Sequence, residues 1–360
     1  MKILFVSDLY PLKNDKTIPL VVEDFALAFR DFGCDVCVLR PNFIINSIIR
    51  GHKLFKNGIY YEKNMKIYNR NYFLPCVFDK NNFLYIEEEF DLIISHMPLG
   101  HICADLLNKK LNLPHISIIH HSDYRVLNEL KYSFYFKNRL KKALKKSTLI
   151  GARNRFLKEK LHADFLLPSF IEEEKIISEK KNFNKDKLKI ITLSKLIKRK
   201  NIDLVIKTLK KVSFDFEYEI YGSGKEERKL KNLIIENNLQ DKIKIHPHIP
   251  HNQIFEKLDK NDVFILPSIN ETFGVSYLEA MARGLIVIGT KNTGVDGVIE
   301  NDKTGFLINP NIKEIKDILE KINFINKEEF VKKSLENVKK FQKEKIMTKY
   351  FENIKKILWK

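Results

Sequence analysis

The sequence predicts an α/β protein of two doubly wound domains, each with a parallel sheet covered by helices on both faces. Three observations lead to this prediction. The chain has 360 residues, too many for one ordinary core and enough for two. Short, continuous apolar runs alternate with amphipathic stretches, as is typical of buried parallel strands and their crossover helices. The alternation begins afresh near Leu188, which indicates a second domain of the same kind.

In the first half, apolar runs predict four buried strands, at residues 3–6, 36–39, 92–94 and 116–119. After the first strand, apolar residues recur at helical spacing from Val21 to Phe32, and Gly33 ends that helix as glycine does at a C-terminal cap. A further helix is expected at about residues 102–111.

The second half repeats the arrangement. Strands are predicted at residues 190–193, 218–221, 243–245, 263–266 and 286–288, with helices that include 201–211 and 275–283. The join lies near residues 167–169, ahead of an acidic and then lysine-rich stretch. Ligands bind beyond the carboxyl ends of the strands in open α/β sheets, so two such sheets facing each other would form a cleft between the domains.

The composition is that of a globular protein, with 44% apolar and 11% aromatic residues. No apolar run approaches the length of a bilayer span, and the apolar stretch at residues 3–6 is too short for a signal peptide. We therefore expect a cytoplasmic protein.

Four cysteines fit that compartment, and two of them, Cys34 and Cys37, form a C-x-x-C, a spacing found in redox and zinc sites. This stretch reads as a strand, on which residues three apart point to opposite faces. The chain also has no second C-x-x-C to complete a zinc site. A structural role for these cysteines is therefore favoured.

The net charge of +18 favours anionic partners, namely nucleic acid, an anionic membrane surface or a phosphorylated substrate. A nucleic-acid partner is not expected, because the sequence has no helix-turn-helix spacing, RNP signature or zinc finger. Simple solvation of the surface accounts for most of the lysines.

The strongest functional pattern begins where the strand at 263–266 ends. A loop containing Glu271 and Gly274 follows, and the next helix carries Glu279. Backbone N–H groups at such a helix start can hold an anion, and two flanking carboxylates suit hydroxyl donors such as a hexose and a ribose. Alternatively, Glu271 is a capping charge and Glu279 a solvated helix residue. The pair alone leaves both interpretations open.

Two lysines favour the functional interpretation. Lys195 and Lys200 follow the strand at 190–193, at a carboxyl end where ligands bind, and could neutralise a diphosphate leaving group. The alternative is an exposed loop, because four of the six residues from 195 to 200 are basic. Function is favoured for Lys200, since Asn201 is expected to cap the next helix and hold the lysine beside the cleft.

These residues resemble retaining glycosyltransferase family 4, which has the GT-B fold. The E-x7-E motif of that family is matched by Glu271 and Glu279, and its pattern E-A-M-A-x-G-x-x-V-I by residues 279–288. The turn at 221–224 is similar to the family's G-x-G, and residues 262–268 match its strand into the site. The resemblance extends over roughly residues 188–310 and is specific because several motifs occur together, including downstream Gly294, Glu300, Gly305 and Phe306.

The resemblance implies a role for each matching residue. Glu271 would lie near the 3-hydroxyl of the donor sugar and Glu279 would bind the ribose. The diphosphate would be held by two lysines and by backbone amides at the helix start: Lys195, Lys200, Phe273, Gly274 and Val275.

The chain departs from the family at the lysines. The family usually has Arg-Leu where Lys195-Leu196 stands, and Lys-Gly where Lys200-Asn201 stands. Lysine keeps the charge of arginine but loses its bidentate fork.

The first half resembles the family more loosely. Residues 114–120 resemble a strand that ends in a histidine contacting the donor sugar. His120 aligns best, and His121 stands where the family has glycine, so both are candidates. A neutral imidazole there would hydrogen-bond a sugar hydroxyl rather than act as a base; without the family, a histidine at a strand end is more often structural. The family's glycine pair in the first loop is replaced by residues 16–19.

The implied reaction moves a hexose from a nucleotide diphosphate sugar, with UDP the expected carrier, to a glycan or glycolipid acceptor in cell-surface polysaccharide or lipooligosaccharide synthesis. No D-x-D motif is present, so neither a metal nor another cofactor is expected. The acceptor would enter on the face that the nucleotide leaves, so the anomeric configuration would be retained. The alternatives are a sugar-nucleotide epimerase of the same fold and, less favoured, a basic nucleic-acid-binding protein.

Two further segments bear on the partners and on the domains. Residues 132–146 mix aromatic and basic residues, as does a helix that lies on an anionic membrane surface, although a solvated helix face fits equally. Combined with the net charge of +18, they favour peripheral association with the inner face of the cell membrane. The helical period at 351–360 suggests the C-terminal helix that returns to the first domain in the GT-B fold. The expected domains are therefore an acceptor-side domain of residues 1–168 plus about 345–360 and a donor-binding domain of 169–344.

Overall fold

The computed structural model describes residues 1–13, 21–72, 86, 88–129, 133–179, 183, 186–269, 271 and 273–358. The chain divides into two compact units. Unit 1 comprises Met1–Arg153, Leu157–Leu167 and Met347–Lys360, and unit 2 comprises Asn154–Phe156 and Pro168–Ile346. Each unit contains one largely parallel sheet with helices, so the predicted α/β class is confirmed. Among the described residues, no helix is long and apolar enough to cross a membrane.

The sheet of unit 1 has eight strands in the order β3-β4-β2-β1-β5-β6-β7-β8. Its strands are β1 Lys2–Val6, β2 Asp35–Phe43, β3 Gly58–Glu62, β4 Met65–Tyr72, β5 Leu92–His96, β6 His115–Ile119, β7 Leu149–Ala152 and β8 Phe165–Leu166. The helices along this part of the chain are α1 Val21–Asp31, α2 Ile44–Arg50, α3 Pro98–Leu111, α4 His121–Asn128, α5 Phe134–Lys146 and α6 Arg155–Leu161.

One strand of unit 1 departs from the expected parallel sheet. Strand β3 pairs antiparallel with β4, whereas every other pair in the sheet is parallel. The two-residue connection consists of Lys63 and Asn64, with φ of 50° and 57°. Positive φ at both central residues is the type I′ geometry whose twist matches a hairpin, so this turn fixes the antiparallel pairing.

The sheet of unit 2 has six parallel strands in the order β11-β10-β9-β12-β13-β14. They are β9 Leu188–Leu193, β10 Phe216–Tyr221, β11 Ile243–His246, β12 Val263–Ile265, β13 Ile286–Thr290 and β14 Phe306–Ile308. The helices are α7 Ile202–Leu209, α8 Glu227–Glu236, α9 Ile254–Asp259, α10 Val275–Ala282, α11 Ile312–Ile322 and α12 Lys327–Val338. The chain winds outward in one direction from β9 to β11 and in the other from β12 to β14. The strand order therefore reverses between β9 and β12, which is where ligands bind in this type of sheet.

Alternate residues of β12 build the core on both faces of that sheet. Val263 and Ile265 belong to one buried cluster and Phe264 to another. Phe264 packs edge-on against Tyr277 of α10, with 5.1 Å between ring centroids. A fully buried large apolar side chain contributes about 1.5–3 kcal/mol to stability. The contact of Phe264 with Tyr277 therefore holds α10 firmly against β12.

Helix α13, Lys343–Leu358, begins earlier than the predicted 351. Its part within unit 1 packs on α1: the ring of Phe29 lies 5.2 Å from the rings of both Tyr350 and Phe351. Trp359 lies outside the described residues.

Several predicted elements have different ends. Strand β2 continues to Phe43, beyond the predicted residue 39, and α3 begins at Pro98 rather than near 102. Proline suits the first helical position because its missing N–H would have no helical acceptor there. Helix α7 ends at Leu209 instead of 211.

Of the C-x-x-C cysteines, Cys37 lies in β2 and Cys34 just before it, and both are buried and free. Cys103 is likewise buried and free, and Cys76 lies outside the described residues.

Candidate active site

Two loops leave the sheet of unit 2 where its strand order reverses. Strands β9 and β12 are neighbours, paired through Val263 with Ile190 and Phe264 with Ile191. The loop after β9 carries the predicted Lys195 and Lys200, and the loop after β12 carries Glu271, Phe273 and Gly274. Because both loops follow the carboxyl ends of adjacent parallel strands, these residues meet at one edge of the sheet. Asn270 and Thr272 lie outside the described residues.

The two loops are joined by hydrogen bonds of their main chains and side chains. The backbone N–H of Ile269 donates to the carbonyl oxygen of Arg199 over 2.9 Å. The side-chain amide of Asn201 donates to the carbonyl oxygen of Pro267 over 2.8 Å. The ammonium of Lys200 donates to Glu271 Oε2 over 2.6 Å. The loops are therefore held together as one structural piece.

The pair of Lys200 and Glu271 is largely shielded from water, since their side chains are 10% and 15% exposed. Burial lowers the pKa of Lys200, although Glu271 opposes that change. Burial also raises the pKa of Glu271, but the cations of Lys200 and Arg199 outweigh it and hold that pKa below its ordinary value. Arg199 Nη1 lies 4.0 Å from Glu271 Oε2. Glu271 is therefore a carboxylate at neutral pH.

Asn201 has a role different from the predicted cap. It precedes α7 in the N-cap position, but its side chain makes no capping hydrogen bond and reaches Pro267 instead. Its φ of 53° lies in the left-handed region, which asparagine tolerates better than most residues. Asparagine thus provides the conformation of the family's glycine and adds a bond between the loops.

The start of α10 depends on a glycine at position 274. Gly274 has φ of 76°, and a Cβ there would lie 2.6 Å from both Tyr277 and Val295. The hydroxyl of Tyr277 donates to the carbonyl oxygen of Leu266, which ties the first turn of α10 to the end of the strand. The first N–H groups of a helix have no acceptor within it, so α10 presents them from Val275 onward. The side chain of Phe273 is buried, so it anchors the turn.

Glu279 is buried at 6% exposure, which excludes the alternative that it is a solvated helix residue. Its Oε1 lies 2.6 Å from Nε2 of His251, whose side chain is 69% exposed. The sequence did not single out His251. The available signal was its position shortly after the carboxyl end of β11, the edge of the sheet where ligands bind.

Lys195 is exposed, and its backbone carbonyl accepts a hydrogen bond from Ser194 Oγ over 2.9 Å. The adjoining G-x-G turn at Gly222 and Gly224 serves packing. A Cβ at these positions would lie 1.9 Å from the carbonyl oxygen of Ser194 and 2.3 Å from that of Leu196. Only glycine allows this close approach of the two backbones.

His120 belongs to unit 1, whereas the other predicted site residues belong to unit 2. It follows β6, is buried, and its Nε2 lies 3.1 Å from Nδ1 of His96. Its backbone N–H donates to Oδ2 of the buried Asp123 over 2.7 Å. Burial, followed by the nearby His96 and Arg153, holds the pKa of His120 well below its ordinary value, so the imidazole is neutral.

His121, the other candidate, is half-buried, and its ring lies 5.8 Å from that of Tyr124. The assignment of a donor contact to His120 or His121 stays a prediction, and residues 16–19 lie outside the described residues. Among the described residues there is no group of three or more histidine, cysteine, aspartate or glutamate side chains that could hold a metal ion. The expectation of a metal-independent reaction also stays a prediction.

Comparison with known proteins bears on the identity of this site. Residues 173–345 match the family model described as "Glycosyl transferases group 1". Uncharacterized glycosyltransferase MJ1178 of Methanocaldococcus jannaschii is 28% identical over 255 residues, 68% of this chain and 68% of that protein. Putative colanic acid biosynthesis glycosyltransferase WcaL of Escherichia coli is 34% identical over 133 residues, 34% of this chain and 33% of that protein. This chain thus spans about a third of the length of WcaL.

A solved structure of Anabaena HepE in complex with UDP and glucose has a TM-score of 0.72 with this chain, at 16% identity, covering 99% of this chain and all of that one (100%). At this identity the similarity concerns the fold alone. The structural comparison, the two α/β units and the matched domain show the GT-B fold.

Proposed function

Given that the chain is a glycosyltransferase of the GT-B fold, we propose that it is a retaining hexosyltransferase of glycosyltransferase family 4. It moves a hexose from a UDP-sugar to a glycan or lipid-linked acceptor in the synthesis of a cell-surface polysaccharide or lipooligosaccharide. The observation that carries the proposal is the pair of joined loops in unit 2, which brings Lys200, Glu271 and the start of α10 to one edge of the sheet. The biosynthetic role of WcaL and the UDP and glucose bound to HepE support the acceptor class and the donor.

The donor is held by groups of complementary chemistry. The N–H groups at the start of α10 and the ammonium groups of Lys195 and Lys200 neutralise the diphosphate. Glu271 and Glu279 offer carboxyl oxygens as hydrogen-bond acceptors, so they select the hydroxyl groups of the hexose and of the ribose. His251 contacts Oε1 of Glu279, so the other carboxyl oxygen is the one we propose for the ribose.

The reaction breaks the bond between the anomeric carbon and the diphosphate oxygen, and the electron pair leaves on that oxygen. The lysines and the start of α10 stabilise the charge that develops there. The acceptor hydroxyl oxygen bonds the anomeric carbon on the face that the nucleotide leaves, and its proton passes to the departing phosphate oxygen. His120 is neutral and buried, which fits a hydrogen bond to the sugar better than a role as base.

The first test is a screen of donors by thermal shift and by hydrolysis, across UDP-, GDP- and ADP-sugars. A UDP-hexose at about 100 times its Kd is expected to stabilise the chain by about 2.7 kcal/mol. Glu271→Gln should abolish the shift, whereas Glu227→Gln, on the exposed face of α8, should leave it unchanged. The proposal fails if none of these donors stabilises the chain. Conversion of a sugar nucleotide by the enzyme alone would favour the epimerase instead.

The stereochemistry and metal independence have separate tests. Proton NMR of the product is expected to show the anomeric configuration of the donor, and an inverted linkage would refute a retaining reaction. Transfer is expected to persist in excess EDTA, and restoration of lost activity by a divalent cation would show a metal requirement.

We further propose that the enzyme works in the cytoplasm, on the inner face of the cell membrane. Helix α5 spans most of the segment 132–146; Tyr132 lies outside the described residues. Leu140 and Leu144 are buried, whereas Phe134 and Tyr135 are 79% and 54% exposed. Exposed aromatic residues followed by lysines suit an anionic lipid surface. Sedimentation with anionic vesicles at low and high salt tests this contact, and no binding at low salt would rule it out.

A further inference from the structure

Helix α2 of unit 1 exposes apolar residues and turns its serine inward. Ile48 and Ile49 are 63% and 77% exposed. Ser47 is buried and donates to Asn42 Oδ1 over 2.6 Å. An ordinary surface helix has the reverse arrangement, with its apolar face on the core. The outer face of α2 is therefore suited to an apolar environment other than its own core.

The chain after α2 extends this apolar surface. Leu54 and Ile59 are 45% and 48% exposed. The intervening loop is fastened to β4, since Asn69 Nδ2 donates to the carbonyl oxygen of Lys56 over 2.9 Å and Asn71 Nδ2 to that of Phe55 over 2.7 Å. The surface is therefore preformed. We name residues 44–61 the α2 surface.

The α2 surface carries basic and no acidic residues. Lys53 and Lys56 are exposed, and residues 44–61 contain no aspartate or glutamate. Exposed isoleucines beside basic residues complement a bilayer whose headgroups are anionic, because apolar side chains enter the interface while lysines remain among the phosphates. Unit 2 also has exposed apolar residues, Ile235 and Phe324, but these two are far apart in sequence. The stretch around each of them differs from the α2 surface.

The position of the α2 surface connects it with the reaction. Helix α2 begins immediately after β2, at the carboxyl edge of the sheet in unit 1. Ligands of α/β sheets bind at that edge. A bilayer that holds α2 therefore brings a lipid-linked acceptor to the edge of unit 1 where an acceptor would bind.

We infer that the α2 surface docks the enzyme on a bilayer containing anionic phospholipid, with Ile48 and Ile49 inserted among the headgroups. Docking itself is independent of catalysis, whereas its use in presenting the acceptor rests on the proposed function. It differs from the contact proposed for α5 in its residues and in its dependence on aliphatic insertion.

The experiment is sedimentation of the full chain with vesicles of phosphatidylglycerol and phosphatidylcholine, and with phosphatidylcholine alone. Ile48→Ser with Ile49→Ser is expected to weaken binding to the anionic vesicles by about tenfold or more. The matched control, Ile235→Ser with Phe324→Ser, removes two similarly exposed apolar residues from unit 2 and is expected to bind as the parent does. Lys53→Gln with Lys56→Gln should weaken binding mainly at low salt.

Unchanged binding of the folded Ile48→Ser/Ile49→Ser variant would overturn the inference, as would an equal loss in the control. Loss of self-association without a loss of vesicle binding would overturn it in favour of a second copy of this chain. Circular dichroism and thermal unfolding establish that each variant is folded. UDP-sugar hydrolysis in the absence of lipid should be unchanged in the docking variants. A parent that binds vesicles but no donor would refute the proposed function and leave the docking intact.

Discussion

The ion pair between Lys200 and Glu271 gives a quantitative test of the candidate site. Replacing one member of a buried pair leaves the other charge uncompensated, which typically costs about 3–5 kcal/mol. The two side chains are 10% and 15% exposed, and Arg199 lies 4.0 Å from the carboxylate. These features reduce the expected loss of unfolding free energy for Lys200→Met to about 2–3 kcal/mol.

A double-mutant cycle isolates the interaction. Lys200→Met, Glu271→Gln and the double variant are compared by urea unfolding at neutral pH, followed by circular dichroism. The double variant should lose less than the sum of the single losses, with a coupling of about 1–2 kcal/mol. Lys231 and Glu227 on α8 form the control pair, at 2.7 Å but with side chains 55% and 38% exposed. Their coupling should be about 0.5 kcal/mol or less, since solvent screens an exposed pair.

Additive losses for Lys200→Met and Glu271→Gln would refute the reasoning, as would a coupling no larger than that of the control pair. High salt supplies a second criterion. It should reduce the coupling of the exposed pair more than that of the shielded one.

Three further predictions concern single residues. Gly274→Ala should lower the free energy of unfolding by about 2 kcal/mol, because φ at this position is 76° and the added Cβ would lie 2.6 Å from Tyr277. The same variant should lose the UDP-induced shift in thermal unfolding. An unaltered shift would contradict this account of the turn. Asn201→Gly keeps the left-handed conformation but loses the hydrogen bond to Pro267, so about 1 kcal/mol of stability should be lost. The KM for the donor should rise in steady-state kinetics. An unchanged KM would show that this hydrogen bond does not position the loops. The cations around Glu88 lower its pKa from 4.5 to about 2, so its stabilisation is complete above pH 4.5 and is lost as the pH falls through 2. The advantage of the parent over Glu88→Gln, about 1 kcal/mol near the surface, should therefore shrink over that range in acid unfolding measured by circular dichroism, and a constant difference would argue against the ion pairs as its cause.

The parallel core could be predicted because its strands are continuous apolar runs, which are visible in the local sequence alone. It missed the β3–β4 hairpin, whose turn consists of Lys63 and Asn64 and lacks the glycine that usually signals such a turn. It also missed α2, a short helix whose isoleucines face outward and therefore give no amphipathic pattern directed to the core.

Within the candidate site, the sequence suggested candidate residues but not their partners. Lys200 and Glu271 are 71 positions apart, and Glu279 and His251 are 28 apart. Local periodicity cannot indicate pairs that form only when different strand ends come together. The roles assigned to these residues toward a donor stay predictions.

The position of α13 has a consequence for synthesis of the chain. Residues 168–346 of unit 2 are synthesised before Tyr350 and Phe351, yet these two aromatic side chains cover Phe29 of unit 1. The nascent unit 1 therefore carries an incomplete apolar surface while unit 2 is translated, and an exposed surface of that kind favours aggregation. The cover over α1 is therefore completed only after unit 2 has been synthesised. Overproduction of the protein should therefore benefit from a chaperone that shields α1 until α13 packs against it.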